Sequence, residues 1–312
     1  MIGVDWGTSN FRAYRLAADG TILDRRTAPK GILHVPGGRF AETLEAEIGE
    51  WLGAGEDRVL LCGMVGSRQG WQEVPYVPCP AGIAELAGAV VGVPFEGRSV
   101  WLVPGVSSVD PDGTPDVIRG EETKIIGLGA TPDDATPDDA TLGGATLGGA
   151  TLGDERLVCL PGTHTKWVSV SGGKIAAFAT EMTGELFGVL KGHSILGRMM
   201  QPGPIDWAAF DLGLGRTRES SGLLHHLFGV RALGLFGRLA ETSTASYLSG
   251  LLIGHEVRAA MPEAAAVHLV GEAALTRQYA RAIAFRGGTP RLEDEDAAAR
   301  GLAAIGAVID WD

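Results

Sequence analysis

The sequence predicts an α/β protein built from two related halves. A strand, a glycine-containing turn, a second strand and a hairpin open the chain, and the same series recurs from residue 157 onwards. When Gly7-Thr8 is aligned with Gly162-Thr163, the two series fall into register, and the second hairpin is two residues tighter. The chain has 312 residues, of which 45% are apolar, so there is enough apolar material for two cores, and global disorder is excluded.

The first half begins with three strand signals. Ile2–Asp5 is a short apolar run, and Phe11–Leu16 alternates apolar and polar residues, as a strand with one buried face does. Asp19-Gly20 is a strong hairpin signal, so Thr21–Arg26 is predicted to return as a third strand. Apolar residues at positions 40, 44, 48 and 52 then mark one face of an amphipathic helix. Two later apolar runs predict buried strands, at Val59–Cys62 and Val100–Val103.

The second half repeats this pattern after an unusual segment. Residues 130–154 are five pentapeptides (ATPDD, ATPDD, ATLGG, ATLGG, ATLGD), whose period fits neither helix nor strand, so we expect a low-complexity, solvent-exposed insertion. Helical patterns dominate from Met182 to Met261, and a last helix is predicted at Asp294–Val308. The strands predicted for this half are Leu157–Leu160, Lys166–Val170, Ile175–Thr180 and Val267–Val270, the last leading through Gly271-Glu272 into a helix that ends near Arg281.

Composition narrows the possible partners. The net charge of −12 argues against nucleic-acid binding, which needs a basic surface. The first ten residues, MIGVDWGTSN, lack the pattern of a signal peptide, and the apolar stretches are too broken to span a membrane. Cys62, Cys79 and Cys159 are widely spaced, which favours free thiols over a disulfide framework or a zinc site. We therefore expect a cytoplasmic protein with no nucleic-acid or membrane partner.

Two glycine turns carry phosphate-binding chemistry. In Asp5-x-Gly7-Thr8, a carboxylate at a strand end can hold a hydrated Mg²⁺, and the turn can donate hydrogen bonds to a phosphate. The turn Pro161-Gly162-Thr163-His164-Thr165-Lys166 offers two hydroxyls, an ammonium and several backbone donors. Either could be an ordinary turn with a solvated side chain, but their occurrence in the same context in both halves favours a phosphate-binding pair.

Two further segments are candidates for chemistry. Arg119-Gly120-Glu121-Glu122-Thr123 places carboxylates at a predicted helix start, where one could accept a proton from a hydroxyl, although acidic first turns are common in helices generally. The loop Gly63–Trp71 follows a buried strand, and its Arg68 could clamp a carboxylate. An ordinary surface loop with one Trp packed on the core is the alternative.

The order of these motifs resembles the sugar kinases of the actin-like ATPase superfamily: D-x-G-T, G-E-x-x-x-x-x-G, P-G-T-H-T-K-W, and a strand with Gly271 before a helix. Longer strings resemble the 2-dehydro-3-deoxygalactonokinase family over nearly the whole chain: GMVGSRQGWQEVPYVPCPAG, RGEETKIIG, LPGTHTKWVSV and EMTGELFGVLKGHSIL. The resemblance implies two ribonuclease-H-like α/β domains with an ATP and substrate cleft between them. It implies a sugar-acid-binding domain at 1–118, with the final helix 296–312 packing back on it, and a nucleotide-binding domain at 119–295.

The implied reaction is ATP-dependent, Mg²⁺-assisted phosphorylation of the C6 hydroxyl of 2-dehydro-3-deoxy-D-galactonate, in galactonate catabolism. By resemblance Asp5 is the metal-associated aspartate, and Glu121 falls on the catalytic base, one methylene longer than the usual aspartate, with Glu122 as its rival. The implied ATP-phosphate residues are Gly7, Thr8, Ser9, Gly162, Thr163, His164, Thr165 and Lys166, with Gly271 near adenosine. The expected sugar-acid residues are Ser67, Arg68, Trp71 and Glu73.

Two alternatives stay open at this point: a kinase for another sugar or sugar acid, and a non-catalytic ATP-binding regulator on the same scaffold. A regulator has no need for Arg68, Trp71 and Glu73 in one loop, so the substrate loop favours a kinase. The sequence does not fix the oligomeric state.

Overall fold

The computed structural model describes residues 1–129 and 155–311, and the predicted insertion at 130–154 lies outside this part of the chain. The strands are Ile2–Trp6 (β1), Phe11–Leu16 (β2), Ile22–Ala28 (β3), Val59–Cys62 (β4), Val77–Pro78 (β5), Val91–Phe95 (β6), Arg98–Leu102 (β7), Val106–Val109 (β8), Pro115–Ile118 (β9), Arg156–Leu160 (β10), Thr165–Ser171 (β11), Lys174–Glu181 (β12), Ala266–Leu269 (β13) and Thr289–Leu292 (β14). The helices are Phe40–Gly53 (α1), Ile83–Ala87 (α2), Glu121–Gly129 (α3), Thr183–His193 (α4), Trp207–Arg216 (α5), Leu223–Leu235 (α6), Thr244–Ala260 (α7), Ala273–Phe285 (α8) and Ala297–Gly306 (α9).

Two sheets share the order of their first four strands. The first runs β3-β2-β1-β4-β7-β6, and the second runs β12-β11-β10-β13-β14. In the first sheet, β1 pairs antiparallel with β2 and parallel with β4. In the second, β13 is parallel to both β10 and β14. Each sheet therefore begins with the order third, second, first, fourth, and the predicted fold class, with two ribonuclease-H-like units, is confirmed. A third, small sheet, β5-β8-β9, was not predicted.

The contacts within the chain divide it into two units. Of the described residues, the first unit holds 1–129, 155, 168–178 and 294–311, and the second holds 156–167 and 179–293. The family resemblance implied that 119–129 belongs to the second domain, whereas this segment clusters with the first unit because α3 packs tightly on α9. A Cβ at Gly127 would overlap the carbonyl oxygen of Ala297, and one at Gly301 would overlap that of Thr123. The helix start that carries the acidic motif is thereby fixed in the first unit.

The core of the first unit surrounds β1. The predicted apolar face of α1, at positions 40, 44, 48 and 52, is buried together with Ile2, Val4 and Trp6. Because β1 lies between two neighbouring strands and is covered by apolar side chains, its carboxyl end is held in a defined place. That end carries Asp5 and leads into the first glycine turn.

The core of the second unit is formed by β10, β13 and the helices α5, α7 and α8. Its buried side chains include Phe210, Leu214, Ile253, Val257, Leu269 and Ile283. The helical region predicted at 182–261 is confirmed as α4 to α7, and the strand before Gly271 is confirmed as β13. In the part of the chain that the structure describes, no helix is long and apolar enough to cross a membrane.

Candidate functional site

Asp5 lies near the carboxyl end of β1 and is 8% exposed. Its Oδ2 atom is 3.9 Å from Arg12 Nη1 on β2 and 3.9 Å from Lys124 Nζ on α3. The negative charge of Asp5 is the main cause of a raised pKa at Lys124, so this ammonium stays charged. One carboxylate and two cations therefore meet at the end of β1.

Two glycines allow three chain segments to meet beside Asp5. Gly63 follows β4 with φ at 91°, and Gly120 precedes α3 with φ at 101°, a region that side chains disfavour. A Cβ at Gly120 would lie 3.1 Å from the Cα of Gly63. A Cβ at Gly63 would lie 2.8 Å from the carbonyl oxygen of Trp6 and 3.4 Å from Asp5 Oδ1. The ends of β1 and β4 and the start of α3 are consequently in close contact.

The two glutamates at the start of α3 have different surroundings. Glu122 is fully buried and accepts a hydrogen bond from Gly120 N at 2.6 Å. Burial, followed by the charge of Glu121, raises the pKa of Glu122 to about 8, so this group is mostly protonated at pH 7. Glu121 is half-buried and accepts a hydrogen bond from Arg119 N at 2.9 Å. Of the two predicted rivals, Glu121 is the one whose side chain reaches solvent.

The first glycine turn is fixed through its carbonyl groups. Gly7 N donates to Asn10 O at 2.9 Å, and the carbonyls of Gly7, Thr8 and Ser9 accept hydrogen bonds from the backbone of residues 31–33. The side chains of Thr8 and Ser9 are exposed. The turn thus presents two hydroxyls at the surface of the first unit, directly after Asp5 and Trp6.

The four predicted sugar-acid residues are not gathered around one point. Arg68 has an 86% exposed side chain, and its Nε is 3.5 Å from Glu73 Oε1. Ser67 is buried and donates to the carbonyl three residues earlier at 2.7 Å. Trp71 stacks on Phe40, with ring centroids 6.3 Å apart. Arg68 and Glu73 are therefore at the surface of this loop, whereas Ser67 and Trp71 contact the backbone and the core.

Sequence reasoning missed a buried guanidinium behind this loop. Arg119 is 8% exposed, its Nη2 donates to Val74 O at 2.6 Å, and its guanidinium lies 4.3 Å from the ring centre of Tyr76. A Cβ at Gly66 would lie 3.0 Å from Arg119 Nη1. Arg119 therefore ties the substrate loop to the start of α3. Its place directly before Gly120 and the two glutamates was the available signal.

The second glycine turn joins β10 to β11 and contacts the first turn of α4. His164 Nε2 is 2.5 Å from Glu185 Oε2, and Glu185 N donates to Thr163 O at 2.9 Å. Thr163 and His164 are exposed, whereas Thr165 and Lys166 are buried. The turn is thus anchored to α4 on one side, with its middle residues at the surface of the second unit.

The buried residues of this turn bond within the second unit. Lys166 Nζ donates to Thr180 Oγ1 at 3.0 Å, and Thr165 Oγ1 is 2.8 Å from the Tyr279 hydroxyl. Their side chains therefore hold the turn in place through contacts inside the second unit. The Thr163 hydroxyl and the His164 imidazole are exposed at the surface of the turn and can contact a ligand there.

Gly271 and a cavity lie beside the same turn. A Cβ at Gly271 would lie 3.3 Å from the carbonyl oxygen of Pro161. The cavity has a volume of about 250 Å³, and its walls are mainly apolar with a few polar groups. Ser249 Oγ donates to Gln278 Oε1 at 2.6 Å on one wall. The residues around it include Gly162, Thr183, Phe187, Ile205, Ser249, Leu275, Gln278 and Tyr279.

A preformed metal cage is not seen among residues 1–129 and 155–311, where no three His, Cys, Asp or Glu side chains cluster in the way a metal ion requires. Mg²⁺ in phosphoryl-transfer sites needs only one or two carboxylates, because waters and substrate phosphates supply the remaining oxygens. Asp5 is a carboxylate of this kind, held at the end of a buried strand next to a glycine turn. The residues present therefore fit such an ion.

Comparisons with known proteins point to one family of enzymes. A family model described as 2-keto-3-deoxy-galactonokinase matches residues 5–305. A Rhizobium meliloti (strain 1021) relative named as a probable 2-dehydro-3-deoxygalactonokinase is 35% identical over 314 residues, covering 98% of this chain and 96% of the relative. The 2-dehydro-3-deoxygalactonokinase of Escherichia coli (strain K12) is 33% identical over 291 residues, covering 92% of this chain and 90% of that protein.

The chain belongs to the 2-keto-3-deoxy-galactonokinase family. A crystal structure carrying the same enzyme name, from Sinorhizobium meliloti, superposes with a TM-score of 0.81 at 34% identity, covering 98% of this chain and 97% of that one. The family resemblance predicted from the motifs is confirmed, and so is the expectation that the protein is a phosphotransferase. Of the charged groups at the end of β1, Arg12 and Lys124 were not predicted, because they reach Asp5 only through tertiary packing.

Proposed function

We propose that the protein transfers the γ-phosphoryl group of ATP to the C6 hydroxyl of 2-dehydro-3-deoxy-D-galactonate, giving the 6-phosphate in galactonate catabolism. The family match and the names of the relatives support this substrate. The structural observation that carries the proposal is the meeting of Asp5, Lys124 and the helix start with Glu121 at the end of β1. This arrangement supplies a carboxylate base and fixed positive charge, which phosphoryl transfer to an alcohol requires.

Glu121 is the proposed base. Its half-buried carboxylate takes the proton of the C6 hydroxyl while the oxygen forms a bond to the γ-phosphorus and the bond to the bridging oxygen of ADP breaks. Glu122 is unsuited to this role, because it is buried and its pKa is raised to about 8.

Lys124 and Arg12 are the proposed charge-stabilising groups. Lys124 is one helical turn after Glu121, so both side chains lie on the same face of α3. Its ammonium, 3.9 Å from Asp5, provides a compact positive charge near the reacting phosphoryl group. Fixed charges of this kind contribute most where charge develops in the transition state.

Asp5 would hold Mg²⁺ through its carboxylate, which Arg12 and Lys124 keep in place. When bound, the ion supplies charge neutralisation of the ATP phosphates. Strand β1 orients Asp5, and the turn that follows β1 brings the hydroxyls of Thr8 and Ser9 to the same end of the unit.

The proposed ATP contacts are divided between the two glycine turns. Gly7, Thr8 and Ser9 form one phosphate loop, and Gly162, Thr163, His164, Thr165 and Lys166 form the other, in which Thr165 and Lys166 act by bracing the loop. The cavity beside Gly162 has the apolar walls and few polar groups of a nucleoside site. The closeness of Gly271 to Pro161 supports a position for Gly271 next to the adenosine.

The proposed sugar-acid contacts lie in the loop after β4. The exposed guanidinium of Arg68 can bind the substrate carboxylate, and its neighbour Glu73 can accept hydrogen bonds from sugar hydroxyls. Ser67 and Trp71, both packed inwards, would support the shape of the loop. We also propose a cytoplasmic location, because ATP is supplied there and Cys62, Cys79 and Cys159 are free thiols.

A panel of acceptors tests this proposal. ADP release is measured by a coupled assay with 2-dehydro-3-deoxy-D-galactonate, its C4 epimer, other 2-keto-3-deoxy acids and simple aldoses. We expect the highest kcat/KM for the galactonate derivative and none for sugars that lack a carboxylate. A clear preference for an aldose would favour a different sugar kinase, and no stimulation of ATP turnover by any acceptor would favour a regulator.

A further inference from the structure

A buried carboxylate lies in the second unit, outside the chemistry proposed above. Glu256 is on α7, is 4% exposed, and accepts hydrogen bonds from Trp167 Nε1 and the Tyr279 hydroxyl, each at 2.7 Å. The Thr183 hydroxyl is a further donor to this carboxylate. All three donors are neutral, so their hydrogen bonds stabilise the ionised carboxylate but none of them carries a compensating positive charge. Because apolar residues usually fill such a position with less penalty, Glu256 indicates a role beyond packing.

The three donors come from different elements around the second glycine turn. Trp167 is on β11 directly after the turn, Thr183 begins α4, and Tyr279 is on α8. Thr183 and Tyr279 also line the cavity of about 250 Å³, as does Gly162. The Tyr279 hydroxyl is 2.8 Å from Thr165 Oγ1, so the network reaches the turn itself.

The hydrogen bonds of this network have a defined direction. Tyr279 has one hydroxyl proton, and an ionised Glu256 can only accept, so Tyr279 donates to Glu256 and accepts from Thr165. If Glu256 binds a proton, the direction can reverse, because the carboxyl group then donates to Tyr279 and Tyr279 donates to Thr165. The protonation state of Glu256 therefore sets the direction of the hydrogen bond that holds Thr165.

We propose that Glu256 is a positioning residue for nucleotide binding, acting through Tyr279 on Thr165, so that nucleotide binding at the turn is coupled to proton uptake by Glu256. The inference rests on the proposed function, which assigns this turn to the ATP phosphates. Negative phosphates disfavour the ionised form of a nearby buried carboxylate, which then takes a proton from solvent. Burial raises the pKa of Glu256 to about 7, so the ionised form dominates at pH 8 before nucleotide binds.

Other titratable groups around Glu256 act in the same direction or are engaged elsewhere. The charge of Glu181 on β12 raises the pKa of Glu256, and Glu256 in turn contributes to the raised pKa of Cys159 on β10. Basic groups on the packed elements have partners of their own: Lys166 with Thr180, Arg281 with Asp211, and His255 with His226.

Calorimetry with a non-hydrolysable ATP analogue tests the coupling. Binding heats at pH 8 in two buffers of different ionisation enthalpy give the number of protons taken up. We expect the wild type to take up about 0.4 proton more than Glu256→Gln, if binding raises the pKa by one unit. The protons released by the nucleotide itself are common to both proteins and cancel in the difference.

Affinities separate positioning from a general structural role. Tyr279→Phe breaks the path to Thr165, and we expect it to raise the Kd for the analogue roughly three- to tenfold. Trp167→Phe is the matched control, since it removes a bond to the same carboxylate and leaves the path to Thr165 intact. Thr165→Val combined with Tyr279→Phe should be no weaker than either change alone, because both break one path. If Glu256→Gln does not fold, the variants at Tyr279, Trp167 and Thr165 still test the inference.

Equal proton uptake by wild type and Glu256→Gln, or equal losses of affinity in Trp167→Phe and Tyr279→Phe, would overturn the inference. Failure of this inference and failure of the proposed kinase function give different results. A wild type that binds nucleotide with Glu256-dependent proton uptake, but phosphorylates no sugar acid, would support the inference and refute the kinase. A wild type that binds no nucleotide would refute both.

Discussion

Replacement of Glu122 by Gln is expected to stabilise the protein at neutral pH without loss of activity. The pKa of this carboxyl rises from 4.5 to about 8 on folding because the side chain is fully buried. At pH 7 the unfolded chain carries an ionised Glu122 and the folded protein a protonated one, so folding must take up a proton. With 1.36 kcal/mol for each pKa unit, this uptake costs about 3 kcal/mol at pH 7. Gln is neutral in both states and avoids the cost, while its carbonyl can still accept from Gly120 N.

The sign of the effect depends on pH. A raised carboxyl pKa means that wild-type stability is fully present below about pH 4.5 and falls as pH rises towards 8. Urea unfolding is measured at pH 4.5, 6, 7 and 8. The free energy of unfolding of Glu122→Gln should exceed that of the wild type by an amount that grows with pH and reaches up to about 3 kcal/mol at pH 7. A difference that does not change with pH, or a variant less stable than the wild type at pH 7, would refute the buried, protonated state of Glu122.

Glu121→Gln is the matched control, one residue away and with the same chemical change. Because Glu121 is half-buried and is the proposed base, this variant should lose kcat by roughly 10²–10⁴-fold with little change in the KM for the sugar acid. If Glu122→Gln loses turnover and Glu121→Gln keeps it, the base is Glu122.

The remaining predictions concern the charged groups around the reacting centre. Asp5→Asn should lower kcat by about 10²-fold or more while the protein still folds, and turnover close to wild type would exclude the assigned role. Lys124→Met should also lower kcat by about 10²-fold, whereas Lys124→Arg should retain part of it, because charge near the phosphoryl group is the property that matters; equal rates for both variants would contradict this. Arg68→Ala should raise the KM for the sugar acid about tenfold or more and reduce discrimination against sugars without a carboxylate. An unchanged KM would mean that the substrate carboxylate binds elsewhere.

The repeat in the sequence was sufficient to predict the two related sheets. Strand, turn, strand and hairpin are local patterns, so their two copies could be aligned at Gly7 and Gly162 without any structure. The small sheet of β5, β8 and β9 was missed because its strands have two to four residues, too few to show a period. The placement of 119–129 was also missed, since it depends on α9 packing against α3 from a distant part of the chain.

For the candidate site, the sequence predicted the motifs but not how the rest of the chain packs around them. It identified the Asp5 turn and the Glu121-Glu122 pair, but not which glutamate is buried, because that follows from packing. Lys124 was within the quoted RGEETKIIG string, yet its approach to Asp5 depends on where α3 sits against β1. Glu256 had a readable signal, as a single acidic residue inside the long and largely apolar helix α7.

The most direct test of the proposed kinase follows the fate of the γ-phosphoryl group in one reaction mixture. Wild-type protein, ATP, Mg²⁺ and 2-dehydro-3-deoxy-D-galactonate are observed by ³¹P and ¹H NMR, with Glu121→Gln run in parallel. We expect one ADP for each new phosphate ester, with the ester phosphorus coupled to the C6 protons, and a reaction slower by roughly 100-fold or more in the variant. Release of ADP with inorganic phosphate and no ester, or an ester on another carbon, would contradict this expectation.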